Sequence, residues 1–266
     1  MAKMPVLFIG HGSPMNIILD NEYTRSLARL GALLPRPKMI AVISAHWLTQ
    51  GTAVTAAEKP RIIYDFYGFP KALYDISYPC PGGIASSLQL SEVINKEKLT
   101  LDDQWGIDHG AWAVLKHMYP AADIPVVEIS LDQTKSGKFH YELGKKLISL
   151  REEGVLVIGS GNIVHNLYQA NFENLDAKPY SWAVEYDQAV KRCLLEQNHE
   201  ALIEYEKLTH SAALAVPTNE HYLPLLYTLA LQKAEDKISF IYEGMQNASI
   251  SMRCIYIGED ADNFYK

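Results

Sequence analysis

Four histidines stand where the chain passes from one local pattern to another, and imidazole nitrogens gathered in one place bind transition metals. In Gly10-His11-Gly-Ser13-Pro-Met-Asn16, His11 follows the apolar run Pro5-Val-Leu-Phe-Ile9, so it stands at the carboxyl end of a short core strand. Met39 to Ser44 is a second such run and leads into Ala45-His46-Trp47. A third, Val155 to Ile158, continues through Gly159-Ser-Gly-Asn162 to Ile163-Val-His165-Asn166. In Pro217-Thr218-Asn-Glu220-His221-Tyr222, Thr218 reads as a helix N-cap and His221 falls in the first turn. The positive end of that helix disfavours a charged imidazole and leaves a lone pair for a metal. One histidine beyond a strand is ordinarily a hydrogen-bonded loop residue. Three at one edge argue for a site, because open α/β sheets bind ligands beyond the carboxyl ends of their strands.

Nitrogen ligands suit Zn, Fe, Ni or Cu rather than Mg or Ca, which prefer oxygen. Three neutral imidazoles on a divalent ion leave net positive charge, so the site favours an anionic bidentate ligand such as a catecholate. His109, in Trp105-Gly-Ile-Asp108-His109-Gly-Ala-Trp112, suits a structured loop at a pocket wall, with Asp108 placed to orient its ring. A satisfied loop histidine fits that spacing equally well. His117, His140, His199 and His210 lie in helical patterns with polar neighbours and are expected to be solvated. Familiar motifs are absent: Gly159-Ser-Gly-Asn-Ile-Val164 lacks the third glycine of a dinucleotide fingerprint, and there is no phosphate-binding GxxxxGK[ST], no GxSxG elbow and no HExxH.

The elements that must position these residues follow from periodicity. Apolar runs at Val6 to Ile9, Met39 to Ser44, Val126 to Leu131, Val155 to Ile158, Ile238 to Tyr242 and Ile250 to Ile257 read as strands. Amphipathic stretches between them, Tyr23 to Leu34, Ile84 to Asn95, Gly137 to Leu150, Trp182 to Glu196 and Tyr222 to Gln232, read as helices. This alternation predicts a three-layer α/β/α fold around a mostly parallel sheet. The last two strands, joined by Glu243 to Ala248, read as a hairpin that makes the sheet mixed. Gln50 to Gly82, rich in aromatic residues and proline, reads as a long ordered loop able to hold an aromatic ring. One domain over residues 1–266 is expected, since 48% hydrophobic content supports a large core and no composition shift marks a linker. A net charge of −7 without a basic run argues against nucleic acid. Three scattered cysteines suit a reducing compartment. With no signal-peptide pattern ahead of the first strand and no apolar run near the roughly 20 residues that span a bilayer, a soluble cytoplasmic protein without a membrane partner is expected. A monomer and a homodimer are both compatible with the sequence.

At these residues the sequence resembles the bacterial and plant 4,5-DOPA extradiol dioxygenase family, a branch of the class III extradiol ring-cleavage dioxygenases related to the protocatechuate 4,5-dioxygenase catalytic subunit. The resemblance spans nearly the whole chain and is carried by Gly10 to Asn16, Ser44-Ala-His-Trp47, Tyr64-Asp-Phe-Tyr-Gly-Phe-Pro70, Asp108 to Trp112, Gly159 to Asn166 and Glu220-His-Tyr-Leu-Pro-Leu225. It implies that His11, His46 and His221 hold the metal, Fe(II) for activity with Zn(II) as a further occupant. It implies His165 as the catalytic acid/base, or as a fourth ligand when substrate is absent, and His109 as a catalytic neighbour contacting substrate or oxygen. Ser13, Asn162 and Tyr222 stand in the same motifs and are expected to contact substrate. The implied reaction opens a catechol ring, DOPA-like, with O2 to a muconic semialdehyde. The wider superfamily supplies a carboxylate where this chain has His221, and Glu220 is expected to project elsewhere on its helix. Two other readings of the histidine set are a zinc hydrolase of a small amide or ester and a non-catalytic metal-binding interaction protein.

Overall fold

Strand-forming runs pair in the order that brings their carboxyl ends together. A computed structural model of the chain describes residues 3–94 and 99–259. Its strands are β1 (Val6–Gly10), β2 (Met39–Thr49), β3 (Thr52–Thr55), β4 (Leu99–Asp102), β5 (Val126–Asp132), β6 (Val155–Gly161), β7 (Lys237–Tyr242), β8 (Met245–Gln246), β9 (Ile250–Ser251) and β10 (Cys254–Gly258). Eight of them form one sheet in the order β4-β3-β5-β2-β6-β1-β10-β7. The central four, β5, β2, β6 and β1, run parallel, while β10 and β7 on one side and β3 on the other pair antiparallel with their inner neighbours. The fold is therefore α/β with a mixed, mostly parallel sheet.

Alternation along each strand feeds two apolar layers, because successive side chains leave a strand on opposite faces. Val6 and Phe8 join Ala41, Ile43, Val127 and Val157 on one face. They meet α5 (Gly137–Lys145), α6 (Ser181–Leu195) and α9 (Leu223–Ala230) through residues such as Leu143, Tyr186, Leu226 and Leu229. Leu7 and Ile9 join Ile40, Val42, Leu156 and Ile158 on the other face, under α1 (Glu22–Leu33) and α4 (His109–Met118). Local chemistry starts these helices where it should: Asn21 and Thr24 close a reciprocal capping box on α1, and Asp108 caps α4. No described helix is long and apolar enough to cross a membrane.

Several expectations need correcting. Gln50 to Gly82 is not all loop, since it contains β3 and the short helix α2 (Lys71–Tyr74). The terminal hairpin carries a second ribbon, β8 with β9, between β7 and β10, and its tip places Asn247 and Ala248 at positive φ. The strand read as Ile250 to Ile257 is thereby split. The helix read as Gly137 to Leu150 ends at Lys145, with a separate 3-10 turn over Ile148–Arg151. The helix read from Ile84 is α3 (Ile84–Ile94), and Asn95, its expected last residue, lies outside the described residues; α7 (His199–Ile203) and α8 (Ala212–Ala215) are short helices between α6 and α9. The Trp105 to Trp112 loop is in fact the entrance to α4. β2 runs past Ser44 to Thr49, and its pairing with β5 shifts register between Ile43 and Leu48, so His46 sits in an irregular stretch of strand rather than beyond its end. Such an irregularity re-aims a side chain.

Candidate metal centre

Each histidine arrives on a different element. His11 follows β1 and its backbone N–H donates to the Gly161 carbonyl at 3.1 Å. His109 is the first residue of α4. His165 follows β6, its N–H donating to the Ala215 carbonyl at 2.9 Å, and its backbone bridges to Ile250. His221 sits in the turn before α9, and its carbonyl accepts from the Asn162 N–H at 2.9 Å. Glycine makes two of these approaches feasible. A Cβ on Gly161 would stand 2.1 Å from the His221 carbonyl oxygen, and one on Gly110 would stand 3.0 Å from the His46 ring.

The rings of His11, His46 and His221 form a near-equilateral triangle, with centroids 5.0, 5.0 and 5.4 Å apart. His109 lies 4.1 Å from His46, and His165 lies flat on His221 at 3.5 Å with 13° between the planes. By donor atoms the nearest groupings are His11, His46 and His109, and separately His165, Glu220 and His221.

Hydrogen bonds fix which nitrogen is bare on two members of the triangle, and a nearby carboxylate faces Nδ1 of the third. Ser160 Oγ donates its single proton to the Gly110 carbonyl, so at 2.9 Å it must accept from Nδ1–H of His11. Glu220 Oε1 takes the Nδ1 proton of His221 at 3.0 Å. Asp65 Oδ2 lies 3.2 Å from Nδ1 of His46 and 2.8 Å from Nδ1 of His109. The Nε2 atoms of His11 and His221 therefore present lone pairs, and that of His46 turns toward His11. Those of His11 and His46 are 3.1 Å apart, close to the spacing of about 3.0–3.4 Å that two metal–imidazole bonds of about 2.1 Å require. Nε2 of His221 is buried without a hydrogen-bond partner, a costly state for an acceptor unless an ion fills it. The donor set fits a transition metal.

Electrostatics keep the cluster neutral. Burial, with the other rings close by, holds His11 and His221 well below the usual imidazole range, and burial with His109 alongside brings His46 down to about 3. Burial lowers His165 to about 4, opposed by the Glu220 carboxylate. Burial alone would raise Asp65, but its hydrogen bond to His109 and the nearby rings outweigh that and leave it at about 2. Neutral imidazole is the ligating form, and carboxylates behind two of the rings supply the orientation that ligation needs.

The structure reassigns several residues. Asp108 does not orient His109. It caps α4, accepts from Ser44 Oγ at 2.7 Å, and is raised to about 6 by burial and by the charge of Asp65. Asp65 takes the role assigned to it, from the motif Tyr64 to Pro70. Glu220 does not project away but folds back onto the neighbouring ring. Thr218 bonds Glu220 rather than capping a helix. Ser13 lines the cavity, whereas Asn162 is buried against the Ser251 carbonyl at 2.7 Å and Tyr222 turns its hydroxyl to the Leu202 carbonyl in the core. Neither of the latter two lines the cavity above the histidines. His140, expected in solvent, is buried beside the Tyr227 hydroxyl. Ser160 and Glu220 were invisible as partners because nothing in their spacing marks a contact. Replacing Glu220 by alanine is expected to weaken metal binding by about 10–100-fold, read by competition with a chromophoric chelator at unchanged circular dichroism.

Comparison with known proteins bears on this arrangement directly. Residues 7–252 match the family described as the catalytic LigB subunit of aromatic ring-opening dioxygenase. The chain belongs to that family. It is 48% identical over 261 residues to 4,5-DOPA dioxygenase extradiol of Escherichia coli (strain K12), covering 96% of this chain and 95% of that protein. The protein of the same name from Beta vulgaris is 33% identical over 250 residues, 92% of each chain. The crystal structure of an uncharacterized protein from Escherichia coli K12 superposes with a TM-score of 0.85 at 44% identity, covering 96% of this chain and all of that one. This member of the family is an extradiol aromatic ring-opening dioxygenase, 4,5-DOPA dioxygenase-like. The amide or ester hydrolase and the non-catalytic binding protein are set aside accordingly.

Proposed function

We propose that the dioxygenase opens a catechol ring of the DOPA kind, with Fe(II) held by Nε2 of His11, His46 and His221 and with His165 as acid/base. The observation that carries this reading is the convergence of the Nε2 atoms of His11, His46 and His221, with the Nδ1–H of His11 and His221 each held by a hydrogen bond behind the ring. His221 is preferred to His109 as the third ligand because its Nε2 is the buried, partnerless one. Iron in that position supplies Lewis acidity toward the catechol hydroxyls and the one-electron chemistry that O2 requires.

The chain's own groups do the rest. His165, neutral at pH 7 and with no side-chain hydrogen bond among the described residues, is free to take a catechol proton and to return one as the ring opens. His109 is held by Asp65, whose Oδ2 lies 2.8 Å from its Nδ1, and its ring lines the cavity. Ser13 lines the same cavity. Zn(II) competes for the same donors without supplying redox chemistry. Protein reconstituted anaerobically with Fe(II) is expected to consume O2 with L-DOPA and give a yellow ring-opened product, while zinc-loaded protein consumes none. Absence of uptake with any catechol, at confirmed iron occupancy, overturns the proposal.

A further inference from the structure

A buried polar chain runs between the segments that carry His46 and His109, beside the point where β2 leaves its ladder with β5 between Ile43 and Leu48. Glu128, paired with Val42 just before that break, is fully buried, and so is Asp108. One Glu128 oxygen accepts from the Asp108 N–H at 2.8 Å and the other from the Trp105 indole N–H at 3.1 Å. Oδ1 of Asp108 accepts from the Ser44 hydroxyl at 2.7 Å and from the Ala111 N–H at 3.3 Å, but Oδ2 is buried without a hydrogen-bond partner. The two carboxyls lie within hydrogen-bond reach of each other. As two carboxylates they have no hydrogen to share and only repel.

One proton removes both the repulsion and the orphaned oxygen. Asp108 is the better place for the remaining charge, because it caps α4 and the positive helix end favours a carboxylate there. Burial and the neighbouring Asp108 charge push Glu128 well above the usual carboxyl range. Positive charge brought to the histidines by a metal acts first on Asp108, which precedes His109 in the chain and shares Ser44 with the His46 N–H. It therefore favours the same placement of the proton. We infer that Glu128 is a neutral carboxylic acid whose O–H donates to the Asp108 carboxylate, and that it is a positioning residue for His46 and His109. The links are short. Asp108 starts the helix whose first residue is His109, and Ser44 Oγ accepts from the His46 N–H at 3.2 Å. Trp105, bonded to Glu128, lies flat against Trp47 with ring centroids 5.5 Å apart.

Infrared spectroscopy at neutral pH tests the proton, since the carbonyl stretch of a protonated carboxyl stands apart from carboxylate and amide bands. The parent spectrum minus that of Glu128→Gln should show one such band, and its absence overturns the assignment. Metal affinity by competition with a chromophoric chelator tests the positioning. Glu128→Leu removes the donor to Asp108 and should weaken binding by about 10–100-fold. Glu128→Gln keeps an N–H for Asp108 and gives up one accepted bond, so it should stay within about threefold of the parent. Equal losses in the two variants, or none in either, would overturn the positioning role. Should Glu128→Leu not fold, Ser44→Ala takes its place, because it cuts only the link from the pair to His46; no loss there has the same meaning. The positioning half rests on the proposed metal centre and the infrared half does not. A parent protein that binds no metal would sink that centre while the band still decides the proton.

Discussion

His165→Ala should lower kcat by about a hundred to ten-thousandfold while leaving metal content near that of the parent protein. The expectation follows from where the ring sits. It lies face to face with the proposed ligand His221 rather than completing the triangle with His11 and His46, and it carries no side-chain hydrogen bond among the described residues. A group in that position can exchange a proton without breaking a support. Metal stoichiometry by atomic emission and single-turnover rates on the same preparations separate the two roles. Loss of metal together with activity would make His165 a ligand in the resting protein. Retained metal with a kcat effect confined to less than threefold would remove it from proton transfer and shift attention to His109.

A second large effect is expected far from the centre. Arg151 and Asp236 are both buried, with Nη2 to Oδ1 at 3.0 Å and a second bond through Nη1. The same guanidinium donates to the Met4 carbonyl at 2.8 Å and the Leu231 carbonyl at 2.7 Å, tying the approach to β1 to the end of α9. Arg151→Ala leaves the buried Asp236 carboxylate with only the Lys3 ammonium at 3.1 Å and the Lys233 N–H at 2.8 Å, and takes the guanidinium donor from two carbonyls, which costs about 3 kcal/mol and lowers Tm on the order of 10 °C. Urea unfolding of Arg151→Ala, Asp236→Ala and the double variant tests this. The double variant should lose less than the two singles combined, because both singles break the same two Arg151–Asp236 bonds. Full additivity would mean that the pair contributes nothing as a pair.

Much of the architecture was legible because it depends on local pattern. The four central strands are short apolar runs with side chains buried on both faces, and α1, α6 and α9 carry helical periodicity within a residue or two of their ends. The histidines could be singled out because strand ends converge on one edge of such a sheet. What escaped was set by tertiary contact. Asp65 reaches His109 across 44 positions and Ser160 reaches His11 across 149, separations over which sequence spacing carries no geometric information. The start of α4 was read as loop because Gly106 and Gly110 flank His109, yet both glycines are there for close approach, to Arg61 and to Ser44. Tyr222 stands where an exposed turn over residues 217–219 gives way to the buried run of α9, so periodicity alone could not tell the cavity from the core. β3 and β4, four residues each, are too short to show a period.

The missing side chain at Gly161 acts as a ruler between the end of β6 and the turn before α9, next to the Asn162 N–H bond that joins the same two segments. Because the backbone of His221 rests where a Cβ would be, the position of one proposed ligand is measured from the end of β6 rather than from its own rotamer. The chain can therefore be detuned without touching any ligand. A single methyl at this point would have to push the His221 carbonyl off the end of β6 and move a proposed ligand with it, so the histidine set would persist in the sequence of a descendant whose geometry had already lapsed.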